Sequence, residues 1–182
     1  MELIINNLSV IYEKLLQENN IVLFENKIDY LKIMDFTMVM TPYNILMFKK
    51  EKKIKPPKIS KRFDCIYIPE ISIKDYMLRI YNYSKCNNVC YLSSYINLKI
   101  LIDKGIIKLT IYNIHRLLLI SIMIFSKFYD DDYYSNLYWS RIGGISLEDL
   151  NNLEIEYLNL LDYNININTE KYEKYNTLFF KN

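Results

Sequence analysis

Apolar residues recur at spacings of three and four along most of this chain, and the pattern sharpens from Ser72 onward. Ile73, Tyr76, Met77 and Ile80 give one apolar helical face. Ser72 precedes it with Asp75 three residues on, a pair that can satisfy the free amides at a helix start. A second helix is predicted over residues 87–103, with Val89, Leu92, Ile96 and Ile100 on one stripe and Gly105 ending it. A third spans about residues 111–129, and its stretch 117–125 is apolar on every side. That stretch is shorter than the roughly 20 residues needed to cross a bilayer. His115 and Arg116 close it on one side and Lys127 on the other, so it reads as a buried core helix.

A short helix is predicted over 135–142, stopped by Gly143 and Gly144. Ser146 opens the next, which runs to about residue 162, with Glu148 and Asp149 in a first turn where the helix dipole favours acids. Thr169 begins a last short helix carrying Tyr172, Tyr175 and Leu178. Upstream, a helix over residues 6–17 places Leu8, Ile11, Tyr12 and Leu15 together. The pattern then weakens. Residues 28–34 fit a short helix, 37–48 a strand or packed coil containing Pro42, and 49–58 a loop closed by Pro56 and Pro57. The pattern alone describes an all-α chain around one buried helix, with no repeat of solenoid length.

Composition narrows the class only a little. With 182 residues, 51% of them apolar, the chain fits one globular domain that needs no disulfides. A net charge of +2 gives no argument for nucleic acid, and the basic run 49–62 reads as a solvated loop. The absence of alanine and the 18 tyrosines reflect a bias toward residues with AT-rich codons, so neither count carries functional weight. Cys65, Cys86 and Cys90 lack partners at zinc spacing, and Glu2 with the Asn6–Asn7 pair does not resemble a secretory leader. Reduced thiols in an intracellular protein, in cytoplasm or nucleus, are therefore expected, with Cys86 and Cys90 filling small gaps at a helix start. His115 is the only histidine, which leaves no basis for a nucleophilic triad, and a structural role suits it better. Trp139 reads as a core or cleft aromatic. No metal or cofactor is expected.

One polar residue breaks the pattern. On a helical wheel centred at Leu150, Leu147, Leu153, Tyr157, Leu158, Leu160 and Leu161 form one sector, and Glu154 falls inside it at roughly 40°. A carboxylate buried there without a partner costs several kcal/mol. Either the chain supplies the partner, or the edge of the sector is exposed and receives one from outside. Lys127, on the stripe of Ile120 and Met123 at the end of the buried helix, poses the matching question. It can extend to solvent near the helix's carbonyl end, or pair with Glu154. The acidic run Asp130-Asp131-Asp132 reads first as a solvated loop capping the next helix. An Asp-rich metal motif would need a second acidic cluster on a facing helix and a longer chain.

Five segments carry a family likeness: Ile-Ser-Ile-Lys-Asp-Tyr-Met-Leu-Arg-Ile-Tyr-Asn-Tyr (71–83), Asn-Ile-His-Arg-Leu-Leu (113–118), Ser-Lys-Phe-Tyr-Asp-Asp (126–131), Arg-Ile-Gly-Gly-Ile-Ser (141–146) and Asn-Leu-Glu (152–154). Together they resemble the cyclin box of the phosphate-pathway (P/U-type) cyclins. The resemblance implies a five-helix box around a buried central helix, with an N-terminal helix and a short C-terminal one. It divides the chain into an N-terminal helix (1–20), a linker or insertion (21–68), and a cyclin box with helical extension (69–182). Such a protein is not an enzyme. It forms a heterodimer with a cyclin-dependent kinase catalytic subunit and stabilises the active arrangement of the kinase's regulatory helix and activation segment. In the family, a lysine of the Ser-Lys-Phe motif and a glutamate early in the fifth helix grip that regulatory helix. Those positions are Lys127 and Glu154 here, with Phe128, Tyr129, Asp131 and Tyr133 expected on the same face. The resemblance implies no nucleic-acid or membrane partner. The alternative is a cyclin-fold scaffold, or a transcription-factor-like binding module, without a kinase.

Overall fold

The computed structural model describes residues 2–32 and 61–180. Among them are seven α-helices and one short 3-10 turn at Lys61–Phe63. These are α1 (Glu2–Lys32), α2 (Ile73–Ser84), α3 (Asn88–Asp103), α4 (Ile114–Tyr129), α5 (Asn136–Gly143), α6 (Leu147–Leu160) and α7 (Thr169–Phe180). Helix α4 packs against α2, α3, α5 and α6, so it is the centre of a five-helix box, with α1 laid on α2 and α3, and α7 on α3 and α1. The layout implied by the family resemblance is the one observed. Every residue of α4 from Ile114 to Ser126 is buried except Arg116.

Side-chain caps set the helix starts that the sequence marks. The Ser72 hydroxyl accepts from the Asp75 amide at 3.0 Å and donates to the Asp75 carboxylate at 2.6 Å. Ser146 accepts from the Asp149 amide at 3.0 Å. The next helix after the acidic run is capped not by an aspartate of that run but by Ser135, which accepts from the Tyr138 amide at 3.4 Å because it directly precedes the first turn. Gly144, at φ +68°, turns the chain out of α5 in a conformation that a Cβ would strain. Helix α4 begins three residues later than expected because Asn113 holds a turn ahead of it. Its side chain accepts from the Thr110 amide at 2.8 Å and donates to the Lys108 carbonyl at 2.9 Å. Helix α6 ends at Leu160 rather than near residue 162, since Asp162 and Tyr163 adopt positive φ.

The N-terminal helix is longer than expected: α1 continues to Lys32, past both residue 17 and the boundary at residue 20, so 21–32 are helix and not linker. The expected short helix 28–34 is, over 28–32, the end of α1. The expectations for 37–48 and 49–58 lie outside the described residues. Leu8 and Tyr12 of α1 are buried as expected, joined by Ile4, Ile5 and Leu16, whereas Ile11 and Leu15 stand at the edge. On α7 the buried residue is Phe179 and not Leu178, because position 179 lies two full turns after Tyr172. Leu147 of α6 is also exposed. Helix α3 is buried over more of its circumference than one stripe because it lies between α4 and the α1–α7 pair. Tyr95 is the hinge of that second layer, with ring centroids 5.8 Å from Tyr12, 5.7 Å from Tyr175 and 5.3 Å from Phe179.

His115 and Trp139 are core residues. The His115 ring lies 5.0 Å from Tyr76, and its Nε2 is 2.9 Å from the Ile71 carbonyl, so that nitrogen carries the proton. Burial pushes the imidazole below its ordinary value, opposed by the bond to Ile71. The unfolded chain therefore binds this proton more readily, and stability is lost as pH falls below about 6.5 toward the depressed folded value. His115→Gln keeps a donor and removes the titration. Its melting temperature should fall less between pH 7 and pH 5 than that of the wild type; parallel curves would refute the assignment.

Candidate functional site

Lys127 sits in the last turn of α4 and Glu154 in the middle of α6, 27 residues apart in sequence. The packing of α6 on α4 brings them into contact, with Lys127 Nζ donating to Glu154 Oε1 at 2.6 Å. The second carboxylate oxygen, Oε2, accepts from Asn136 Nδ2 at 2.7 Å. The polar break in the apolar sector thus has a partner inside the chain, and its edge is also open: the two side chains are 26% and 17% exposed. The internal partner is therefore observed, and the exposed edge leaves room for an outside one.

A shallow hollow of about 210 Å³ opens beside the pair, lined by Ile124, Lys127, Phe128, Glu154, Leu158 and Ile165. Its floor follows from helix periodicity. Ile124 lies one turn before Lys127 and Leu158 one turn after Glu154, so each charge has an apolar neighbour on its own helix. Phe128 is half exposed on the rim. The arrangement is chemically simple. Lys127 spends one of its three N–H bonds on Glu154, and each carboxylate oxygen keeps one further acceptor position. The pair can therefore offer donors and acceptors together to an outside group while staying in contact.

The other expected residues are more dispersed. Tyr129 is exposed but faces a separate hollow with Asn87, Asn88 and Val89, its ring stacked 6.0 Å from Phe125 and edge-on to Phe128 at 4.9 Å. Asp131 and Tyr133 are exposed on the loop between α4 and α5. Asp130, by contrast, is drawn inward. Its carboxylate accepts from Asn87 Nδ2 at 2.7 Å, Ser126 Oγ at 3.1 Å and Cys90 Sγ at 3.5 Å, tying the end of α4 to the start of α3. The acidic run is one structural carboxylate followed by two solvated ones. Cys86 and Cys90 are free and buried at the start of α3, where the hydrogen bond with Cys86, and then burial, push the Cys90 thiol up. Among the described residues no group of three or more His, Cys, Asp or Glu side chains could hold a metal ion, and no helix is long and apolar enough to cross a membrane.

Sequence reasoning missed Ile124, Leu158, Ile165, Asn136 and Asn151. The first two were accessible from one-turn spacing to Lys127 and Glu154. Ile165 reaches the hollow from the loop after α6, and Asn136 reaches the Glu154 carboxylate from the first turn of α5, so neither leaves a local signal.

Comparison with known proteins agrees with this fold. The family model for cyclins matches residues 7–165. The chain is 37% identical to Cyclin-U2-1 of Arabidopsis thaliana over 62% of its length and 51% of the relative's. It is 38% identical to Cyclin-U1-1 of the same plant over 65% of its length and 57% of the relative's. With Cyclin-P3-1 of Oryza sativa subsp. japonica the identity is 34%, over 59% of this chain and 45% of that one. The matches span about half the length of those curated relatives. The fold, the matched span and the relatives agree that this chain belongs to the cyclin family, as a cyclin of the P/U type.

Proposed function

We propose that this cyclin binds and activates a cyclin-dependent protein kinase, with the Lys127–Glu154 rim as the principal contact for the kinase's regulatory helix. The observation that carries the reading is a half-open ion pair beside an apolar hollow on the central helix of the box. A helix end has free main-chain groups. Glu154 can accept from the free amides of a helix's first turn and Lys127 can donate to main-chain carbonyls of the segment leading into it, while an apolar side chain of the same helix enters the hollow. Phe128 extends the contact directly, and Tyr129, Asp131 and Tyr133 widen it toward the activation segment.

The energetic demand is modest. Shifting a kinase from 1:99 to 99:1 in favour of its active state takes about 5.5 kcal/mol of differential binding. A buried anchor and a few charge-assisted hydrogen bonds are of that order. For a pair this far covered, desolvation offsets much of the attraction and the net contribution to folding is small, so its placement is better accounted for by docking than by stability. The test is native purification of the full chain from its own cells, with mass spectrometry of the bound protein and a kinase assay. A cyclin-dependent kinase subunit in equal amount, inactive without the chain and active with it, is the expected result. Recovery without a kinase, together with steeply salt-dependent DNA binding, would favour the scaffold alternative.

A further inference from the structure

We infer that Asn136 is a positioning residue for the rim, holding the Glu154 carboxylate in place so that Lys127 can be shared with a docking partner. The inference rests on the kinase-docking reading and concerns how the same site is kept ready. Asn136 is the first residue of α5, directly after the Ser135 cap, so its backbone is set by the start of that helix. Its side-chain nitrogen, Nδ2, donates both hydrogens across to α6, to Glu154 Oε2 at 2.7 Å and to Asn151 Oδ1 at 2.7 Å. Chemistry fixes the orientation of the amide, because an ionised carboxylate only accepts hydrogen bonds.

The consequence lies in the division of labour at Glu154. Lys127 holds one carboxylate oxygen and Asn136 the other. When a docking partner draws the ammonium toward its carbonyls, a carboxylate held by Lys127 alone would follow it or be left without a donor. Held by Asn136, it keeps its place and a satisfied oxygen. Asn151, one turn before Glu154 on α6, in turn uses the second hydrogen of Asn136 and restrains the amide. The belt therefore runs from α4 through α6 to α5.

A double-mutant cycle on the full chain isolates this role. The probe is the cyclin-dependent kinase subunit that purifies with the wild-type chain, produced separately and titrated against each variant. Asn136→Ala should weaken kinase binding about tenfold in the wild-type background and less than about twofold in a Glu154→Ala background. Its melting curve should stay close to that of the wild type. An equal loss in both backgrounds would mean that Asn136 acts through general structure. No loss in the wild-type background would mean that it does not act on the rim at all. Either result overturns the inference while leaving the docking reading intact. A wild-type chain that binds no kinase removes the docking reading itself, and the inference with it.

Discussion

Replacing Lys127 and Glu154 together by alanine should abolish measurable kinase binding, a loss of at least about 100-fold, while leaving helical content and the melting curve nearly unchanged. The two halves of that expectation have separate reasons. The fold tolerates the change because the pair is partly exposed, at 26% and 17%, and both charges leave together, so no lone charge remains under the rim. Ile124, Leu153 and Leu158 stay to pack α6 against α4. Binding fails because a docked helix would lose the donor and the acceptor that meet its main-chain groups, and those groups would then be covered without partners. The single variants should show an asymmetry. Lys127→Ala leaves a carboxylate still held by Asn136 at 2.7 Å, whereas Glu154→Ala frees the lysine to extend into solvent. Isothermal titration with the kinase subunit, paired with circular dichroism, checks both halves. A double variant that binds and activates its kinase as the wild type does would show that the rim has been placed wrongly.

Asp130→Ala should instead destabilise the fold, by about 2 kcal/mol, and Asp131→Ala should leave stability within about 0.5 kcal/mol of the wild type. Adjacent carboxylates differ this much because only the first has buried work. Asp130 collects hydrogen bonds from Asn87, Ser126 and Cys90 and joins the end of the central helix to the start of α3. Without it, the Ser126 hydroxyl and the Asn87 amide lose their acceptor, the first of these in a buried setting. Part of the cost is recovered by water, since the Asn87 bond is exposed, and this keeps the figure moderate. Asp131 makes no such bonds, and any effect of its removal should appear in kinase affinity alone. Urea denaturation of the two variants separates these outcomes. Equal midpoints would mean that the Asp130 bridge contributes nothing.

Much of the box was legible because several of its helices carry a start or a stop in the sequence. Ser72 and Ser146 cap α2 and α6 as their spacing to the following amides implies, and Gly144 ends α5. The all-apolar stretch of α4 announced a helix surrounded on every side. The Lys127–Glu154 pairing was legible for a related reason: a charge inside an apolar sector must be answered, and those two residues raised the question together. Other features had no local signature. The length of α1 was hidden where four consecutive apolar residues, 21–24, blur the helical period after a clear stripe. Asn136 and Ile165 reach the rim only because α5 and the loop after α6 are folded back against it, and no spacing along the chain encodes that. On α7 the buried Phe179 lies next to Leu178, the residue the sequence spacing picked out. Within the acidic run, the difference between Asp130 and its neighbours depends on where α3 starts in space.

The account depends on a half-open pair of opposite charges serving a foreign helix. The most direct measurement is a structure of this chain bound to its kinase subunit, at a resolution that places side chains. The account predicts the kinase's regulatory helix across the C-terminal end of α4, with Lys127 Nζ and a Glu154 oxygen each within hydrogen-bonding distance of its main chain and an apolar side chain in the hollow beside Phe128. A complex in which this rim faces solvent, with Lys127 and Glu154 bonded only to each other, would contradict it.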